Sequence, residues 1–199
     1  MCDATSAINV GFSGGHFHAG THICLVFREE SVRRDIVGRF VESGVMDDER
    51  VFYFADSAEP GEVVNWLQAL DVDVSGPLER RSLTIDRAAD TYCPDGTFVP
   101  DRMLETLKSA YAGAKSAGYP QSRVTGEMSW ALHGFPGSDR LMEYEAAINT
   151  VVKTHPITAM CQYDANHFDG ETIFRALQVH PYMVMDGQLV KNPYYAEGA

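Results

Sequence analysis

Apolar and polar positions along this chain switch between two periods, and the switching lays out the elements. Short apolar runs rich in β-branched and aromatic residues recur at His22–Phe27, Val51–Ala55, Leu83–Asp86, Val124–Trp130 and Ile157–Met160. Continuous runs of this kind mark strands covered on both faces, as in a parallel sheet. Between them the apolar positions fall at helical spacing. From Ser31 to Ser43 they are Val32, Ile36, Val37, Phe40 and Val41, with Gly44 placed as a stop. Pro60 suits the first turn of a helix reaching about Leu70. A polar joint, Asp71–Arg81, precedes the third strand. Ala89–Pro100 then reads as a loop, the segment expected to be mobile. Asp101 is placed to cap the longest helix, which runs to Ala117 with Met103, Leu104, Leu107 and Tyr111 inward. A helix from Ser138 or Asp139 to Lys153 turns Leu141, Met142, Ile148 and Val152 inward, and a last one covers Gly170–Val179.

The two ends differ from this middle. Gly11, Gly14, Gly15 and Gly20 give residues 1–20 the look of an irregular segment with a short strand at Ile8–Phe12. At the other end, Tyr182–Met185 and Gln188–Val190 flank Asp186-Gly187, the signature of a tight β-hairpin. The repeated strand–helix alternation predicts one domain over residues 21–195. It is a three-layer α/β fold, with a mainly parallel sheet, helices on both faces and an antiparallel C-terminal hairpin.

Charge and composition narrow the function classes. The formal charge of −12 argues against direct nucleic-acid binding, which relies on clustered Lys and Arg. Arg33-Arg34 and Arg80-Arg81 are the basic clusters, and both read as solvated pairs. No apolar run is long enough to span a membrane, and the N-terminus lacks signal-peptide character, so a cytoplasmic location is expected. The four cysteines, Cys2, Cys24, Cys93 and Cys161, form no C-x-x-C pair and read as free thiols.

The candidate chemistry centres on Ile157–Asp164. There Cys161, Gln162, Tyr163 and Asp164 arrive together where a buried strand should leave the core. Ligands in open α/β sheets sit beyond the carboxyl ends of strands, so this cluster can wall a pocket; a strand followed by an Asp turn is the plainer alternative. The first strand–helix junction, Phe27-Arg28-Glu29-Glu30-Ser31, offers no glycine, no lysine and two carboxylates where a phosphate loop would need G-x-x-x-x-G-K. His16, His18, His22 and Cys24 are dense in metal-ligand types. His22 and Cys24 share a strand face that Cys161 approaches if its strand is the neighbour. A nucleophilic Cys161 with His180 or His22 as base is a further possibility, against a buried inert thiol. Glu127, inside an apolar strand, and Glu143, beside inward Leu141 and Met142, need partners if buried; Arg123 and Arg140 are near in sequence.

Several of these pieces occur together in one known family. His22-Ile23-Cys24 after Gly20-Thr21, the segment Gly126–Leu132 (GEMSWAL), Tyr144-Glu145, Cys161–Asp164 (CQYD), His180-Pro181 and Asn192–Tyr195 (NPYY) keep an order and spacing that resembles the MEDS domain. The resemblance implies a RecA-like core akin to the circadian-clock ATPases without a working phosphate loop. It implies a sensory role for small molecules, including C1 or hydrocarbon derivatives, and signalling to a kinase, a transcription regulator or an anti-sigma pathway. No output domain is visible in this sequence, so a stand-alone sensor or a part of a larger regulator is expected. The His16/His18 arm is not part of that pattern. The reading is therefore a non-catalytic ligand-binding domain, its ligand lined by His22, Cys24, Glu127, Trp130, Cys161, Tyr163, Asp164 and His180. The alternatives are a metal site using His16, His18 and His22, a haem-binding domain, a degenerate nucleotide-binding protein, and a scaffold that homodimerises through the hairpin. No cofactor is assigned.

Overall fold

The computed structural model describes residues 7–15 and 17–198. The N-terminal segment, expected to be irregular, forms a small antiparallel ribbon of β1 (Ala7–Ile8) and β2 (Phe17–His18). The main sheet contains β3 (His22–Phe27), β4 (Arg50–Ala55), β5 (Leu83–Arg87), β6 (Ser122–Glu127), β7 (Thr158–Asp164), β8 (Tyr182–Met185) and β9 (Gln188–Lys191). Its spatial order is β5-β4-β6-β7-β3-β8-β9, and every neighbouring pair is parallel except β8–β9. The Asp186-Gly187 turn has both residues at positive φ (50° and 71°), as a tight hairpin of this twist requires.

The helices are α1 (Glu30–Met46), α2 (Pro60–Ala69), α3 (Ser75–Glu79), α4 (Ala88–Tyr92), α5 (Pro100–Ser116), α6 (Leu141–Thr154) and α7 (Gly170–Val179). They cover both sides of the sheet. Ile23, Leu25, Val51, Tyr53 and Met160 pack with α1 and α2, while Cys24, Val124, Ala159, Cys161 and Tyr163 pack with α4, α5, α6 and α7. Strand alternation therefore sends neighbours in one strand to opposite layers. Among the described residues no helix is long and apolar enough to cross a membrane.

Several boundaries depart from expectation, each for a packing reason. α1 continues through Gly44, and Val32 is 49% exposed while Arg33 joins the inward stripe. α5 begins at Pro100 after an extended Val99, so Asp101 sits in the first turn rather than at the cap. The polar joint contains α3. The loop expected to be mobile contains α4, and Tyr92, Cys93 and Phe98 fasten it into the core. β6 ends at Glu127, and 3-10 turns over Met128–His133 return Trp130 to the interior. β7 runs on to Asp164 because β3 pairs it throughout, from His22 opposite Ala159 to Phe27 opposite Asp164.

Gly44 shows how tightly α1 meets the sheet. A Cβ there would stand 2.6 Å from Arg123 Nε and 2.9 Å from a Val51 methyl. Arg123 cannot yield readily: it is fully buried and donates to Glu49 (2.7 Å), to the Phe40 carbonyl (2.8 Å) and to Ser43 (2.8 Å). Gly44→Ala should therefore destabilise by about 1–3 kcal/mol through overpacking, outweighing a helix-propensity gain of about 1 kcal/mol. Urea unfolding checks this, and a more stable variant would mean that the helix–sheet contact is loose.

Candidate functional site

Beyond the carboxyl ends of β3, β4, β6 and β7 the surface opens into a crevice of about 460 Å³. Its walls include Phe27, Ser57, Ser129 and Leu132, and its carboxylates are Glu30, Asp56, Glu127 and Asp164. This is the place where an open parallel sheet offers a site, because the strand ends and the loops after them leave the layers uncovered. Asp56, just after β4, accepts from Ser129 Oγ (2.6 Å) and meets His133 Nε2 (2.9 Å). Asp164, ending β7, accepts from the Asn166 amide (2.8 Å) and meets His167 Nδ1 (2.8 Å).

Glu127 forms the floor and is 4% exposed. A carboxylate so deep needs full compensation. Its Oε1 accepts from Arg33 Nη1 (2.9 Å) and from the Tyr53 hydroxyl (2.6 Å). Its Oε2 accepts from the backbone amides of Ser57 (2.6 Å) and Asp56 (3.2 Å). Arg33, 1% exposed, also donates to Tyr53 (2.9 Å), to Gln162 Oε1 (3.0 Å) and to Glu30. Gln162 in turn donates to Thr125 Oγ1 (2.8 Å), which donates to the Met160 carbonyl (3.1 Å). Burial pushes the Glu30 carboxyl up, but hydrogen bonds and charge from Arg33 and Arg34 outweigh it and hold it below its usual range. Burial pushes the Tyr53 hydroxyl well up, so it stays a donor.

This architecture is hostile to a polyphosphate. Only Arg28 and Glu29 separate the end of β3 from the start of α1. A two-residue junction cannot wrap an anion in backbone amides, and the four carboxylates around it repel one.

A second polar cluster lies on the opposite face of the sheet, between β3, β7, α6 and α7. Glu145, fully buried, receives the Tyr163 hydroxyl on Oε1 (2.6 Å). Its Oε2 stands 3.2 Å from His22 Nε2, 3.3 Å from Cys161 Sγ and 3.4 Å from His180 Nε2. His180 Nε2 is off hydrogen-bond alignment and has no other partner among the described residues. Cys161 Sγ and His22 Nε2 are 3.5 Å apart, and the two imidazole rings lie 4.0 Å centre to centre. Burial, and then the charge of Glu145, push the Cys161 thiol well up. Burial also favours protonation of Glu145, yet the His180 and His22 imidazoles hold it well below the carboxylate range. His22 is pulled down by burial and by His180, against a smaller upward pull from Glu145.

The residues expected to line one pocket thus fall into three places. Glu127 and Asp164 reach the crevice. His22, Cys161, Tyr163 and His180 surround Glu145 under α6, with Cys24 buried beside them. Trp130 is fully buried, stacked on Tyr92 at 4.7 Å and against Phe98 at 4.7 Å, away from both. Of the metal set His16, His18 and His22, His16 lies outside the described residues, and exposed His18 is not among the ligand types gathered around His22. Glu143 faces outward to Arg140 (2.8 Å), and the inward carboxylate is Glu145. Arg123 partners Glu49 rather than Glu127. Arg33, read from sequence as half of a solvated pair, is the buried cation of the site. Both missed residues do sit on helical stripes: Arg33 with Ile36, Val37 and Phe40, and Glu145 with Leu141, Ile148 and Val152.

Comparison with known proteins agrees with this fold. Residues 21–181 match the MEDS family, described as the methanogen/methylotroph, DcmR sensory domain. The transcriptional repressor DcmR of Methylorubrum extorquens is 24% identical over 160 residues, covering 80% of this chain and 57% of the repressor. The chain thus spans just over half of that relative's length in the alignment. A KaiC-like protein from Pyrococcus horikoshii superposes with a TM-score of 0.66 at 13% identity, over 89% of this chain and 79% of that one. The flagellar accessory protein FlaH from Methanocaldococcus jannaschii gives 0.59 at 13% identity, over 84% and 74%. At such identities the likeness shows a shared RecA-like fold alone.

The Arg33–Glu127 pair yields a direct expectation. Removing one partner of a buried, fully bonded pair costs about 3–5 kcal/mol, because the other charge is stranded. Arg33→Met should lose that much in urea unfolding. Glu127→Gln should also lose stability, because its amide oxygen can still accept from Arg33 and Tyr53 but its NH2 then faces the Ser57 and Asp56 amide donors. A loss under about 1 kcal/mol for Arg33→Met would show that the pair does not hold the crevice floor.

Proposed function

The chain belongs to the MEDS family, and from that premise we propose that it is a non-catalytic sensory domain whose ligand occupies the crevice beyond β3, β4, β6 and β7. The observation that carries this reading is the crevice floor: a carboxylate, Glu127, permanently satisfied by Arg33, Tyr53 and two amides where an anion would otherwise be received. Its size, about 460 Å³, suits a small organic molecule. Phe27 and Leu132 supply an apolar wall, and the surrounding carboxylates favour a neutral or cationic guest over an anionic one. A C1 or hydrocarbon derivative meets those requirements; a nucleoside triphosphate does not.

A ligand alters output only through different affinities for two states. The β4–α2 connection is the element a guest would bias, since Asp56 and Ser57 both line the crevice and both tether to Glu127 through their amides. The response then passes to a transcriptional or signalling partner, a role supported by the repressor among the relatives.

A thermal-shift screen of short alcohols, amines and halogenated hydrocarbons tests the proposal, run in parallel on Ser57→Trp, which fills the crevice while keeping the amide to Glu127. At about 100 times its dissociation constant a ligand stabilises by about 2.7 kcal/mol, raising Tm by roughly 5–11 °C for a domain of this size. The expected result is a saturable rise in the natural protein that Ser57→Trp abolishes. An equal rise in both proteins, or none across the panel, would sink the assignment.

A further inference from the structure

The cluster under α6 poses a proton-counting problem that the crevice does not share. His180 Nδ1 lies 2.7 Å from the Ala176 carbonyl, an acceptor only, so that nitrogen carries a hydrogen. His22 Nδ1 lies 3.1 Å from Asn149 Oδ1, and the Asn149 amide is oriented by its donation to the Val179 carbonyl (2.7 Å). His22 Nδ1 is therefore also the N–H. Both Nε2 atoms turn inward toward one carboxylate oxygen of Glu145, at 3.2 and 3.4 Å, in a region with no exposure to water. Two bare lone pairs facing a carboxylate repel, so positive charge belongs in that space, either as protons on the two Nε2 atoms or as a bound cation, and the spacing of the groups decides between them.

The dimensions of that space fit an ion. Ligand atoms bound at about 2.0–2.3 Å around a tetrahedral zinc-class ion stand about 3.3–3.8 Å apart. Four of the six separations here are 3.2, 3.3, 3.4 and 3.5 Å, and all four ligand atoms lie within 4.8 Å of one another. The unpartnered Nε2 of fully buried His180 points into the same centre. Partners behind the ligands complete the pattern usual at metal sites: carbonyl and amide oxygens fix the imidazole tautomers, and Tyr163 holds the far oxygen of Glu145.

We propose that His22, Glu145, Cys161 and His180 form a closed, four-ligand site for a divalent transition metal of the zinc class. Two imidazoles, a thiolate and a carboxylate suit zinc, cobalt or ferrous iron far better than magnesium or calcium. Binding forms four metal–ligand bonds and releases the Cys161 thiol proton to solvent. Two anionic and two neutral ligands then neutralise the divalent charge in a dry interior. Because the ligands come from β3, α6, β7 and the end of α7, the ion would staple both helices to the sheet. A groove of about 250 Å³ lined by His22, Asn149 and Tyr182 opens to the surface beside the cluster. The proposal lies on the other face of the sheet from the crevice and does not depend on the sensory reading.

Titrating the metal-free, untagged full chain with cobalt(II) under reducing, anaerobic conditions tests it. One equivalent should bind, giving the visible bands of four-coordinate cobalt and a thiolate charge-transfer band, both displaced by zinc. Cys161→Ser should lose the charge-transfer band, Cys24→Ser should keep it, and Asn149→Ala should weaken binding about 10–100-fold. Should Cys161→Ser fail to fold, X-ray absorption on the natural protein replaces it, with one sulfur and three nitrogen or oxygen neighbours expected. No saturable binding, a band that survives Cys161→Ser, or a six-coordinate shell without sulfur would overturn the proposal.

Discussion

A parallel sheet sealed on both faces has no room for an uncompensated charge, and this molecule buries a carboxylate against each face. Glu127 sits on the α1 side and is satisfied by Arg33, Tyr53 and two backbone amides. Glu145 sits on the α6 side among His22, His180, Cys161 and Tyr163. Neither could be left bare, since an unpaired ion in such an interior costs several kcal/mol or more. The two solutions differ in kind. Around Glu127 every polar atom has a donor or acceptor in reach. Around Glu145 two imidazole nitrogens converge on one carboxylate oxygen, and that of His180 has no aligned hydrogen-bond partner among the described residues.

That contrast organises the functional reading. The satisfied cluster closes the place where this fold would receive an anion and leaves above it a crevice lined by carboxylates, two imidazoles and an apolar wall. The unsatisfied cluster has the spacing and donor set of a site that takes a cation. Both are positioned by the same strands: β7 sends Gln162 to Arg33 and Cys161 to Glu145 from adjacent residues. A change in one layer is thus three bonds of backbone away from the other.

Most of the architecture was legible because the sheet is buried on both faces. Uninterrupted apolar strands such as His22–Phe27 announce themselves, and Asp186-Gly187 dictates its own turn. Element ends were less legible. β7 extends through Cys161, Gln162 and Tyr163 because β3 is there to pair with them, and a strand's length depends on its neighbour rather than on its own residues. The misplaced charges share one cause. Local pattern favours Val32 over Arg33 and Glu143 over Glu145, because it assigns the apolar residue, or the acid flanked by apolar residues, to the core. Position on the stripe decided instead: Arg33 is three and four residues from Ile36 and Val37, and Glu145 is four from Leu141 and three from Ile148. The opposing polar partners made those positions habitable, and they come from strands far away in sequence. The juxtaposition of His22, Cys24 and Cys161 was foreseeable from period-two alternation, whereas Glu145 and His180 needed the helices placed.

If the Glu127–Arg33 floor closes the crevice of this RecA-like scaffold to anions, nucleotide should not bind there. Equilibrium titration with magnesium-ATP, followed by calorimetry on the full chain, tests it most directly. The structure predicts no saturable heat up to millimolar nucleotide. A one-to-one isotherm with a dissociation constant well below a millimolar would contradict it.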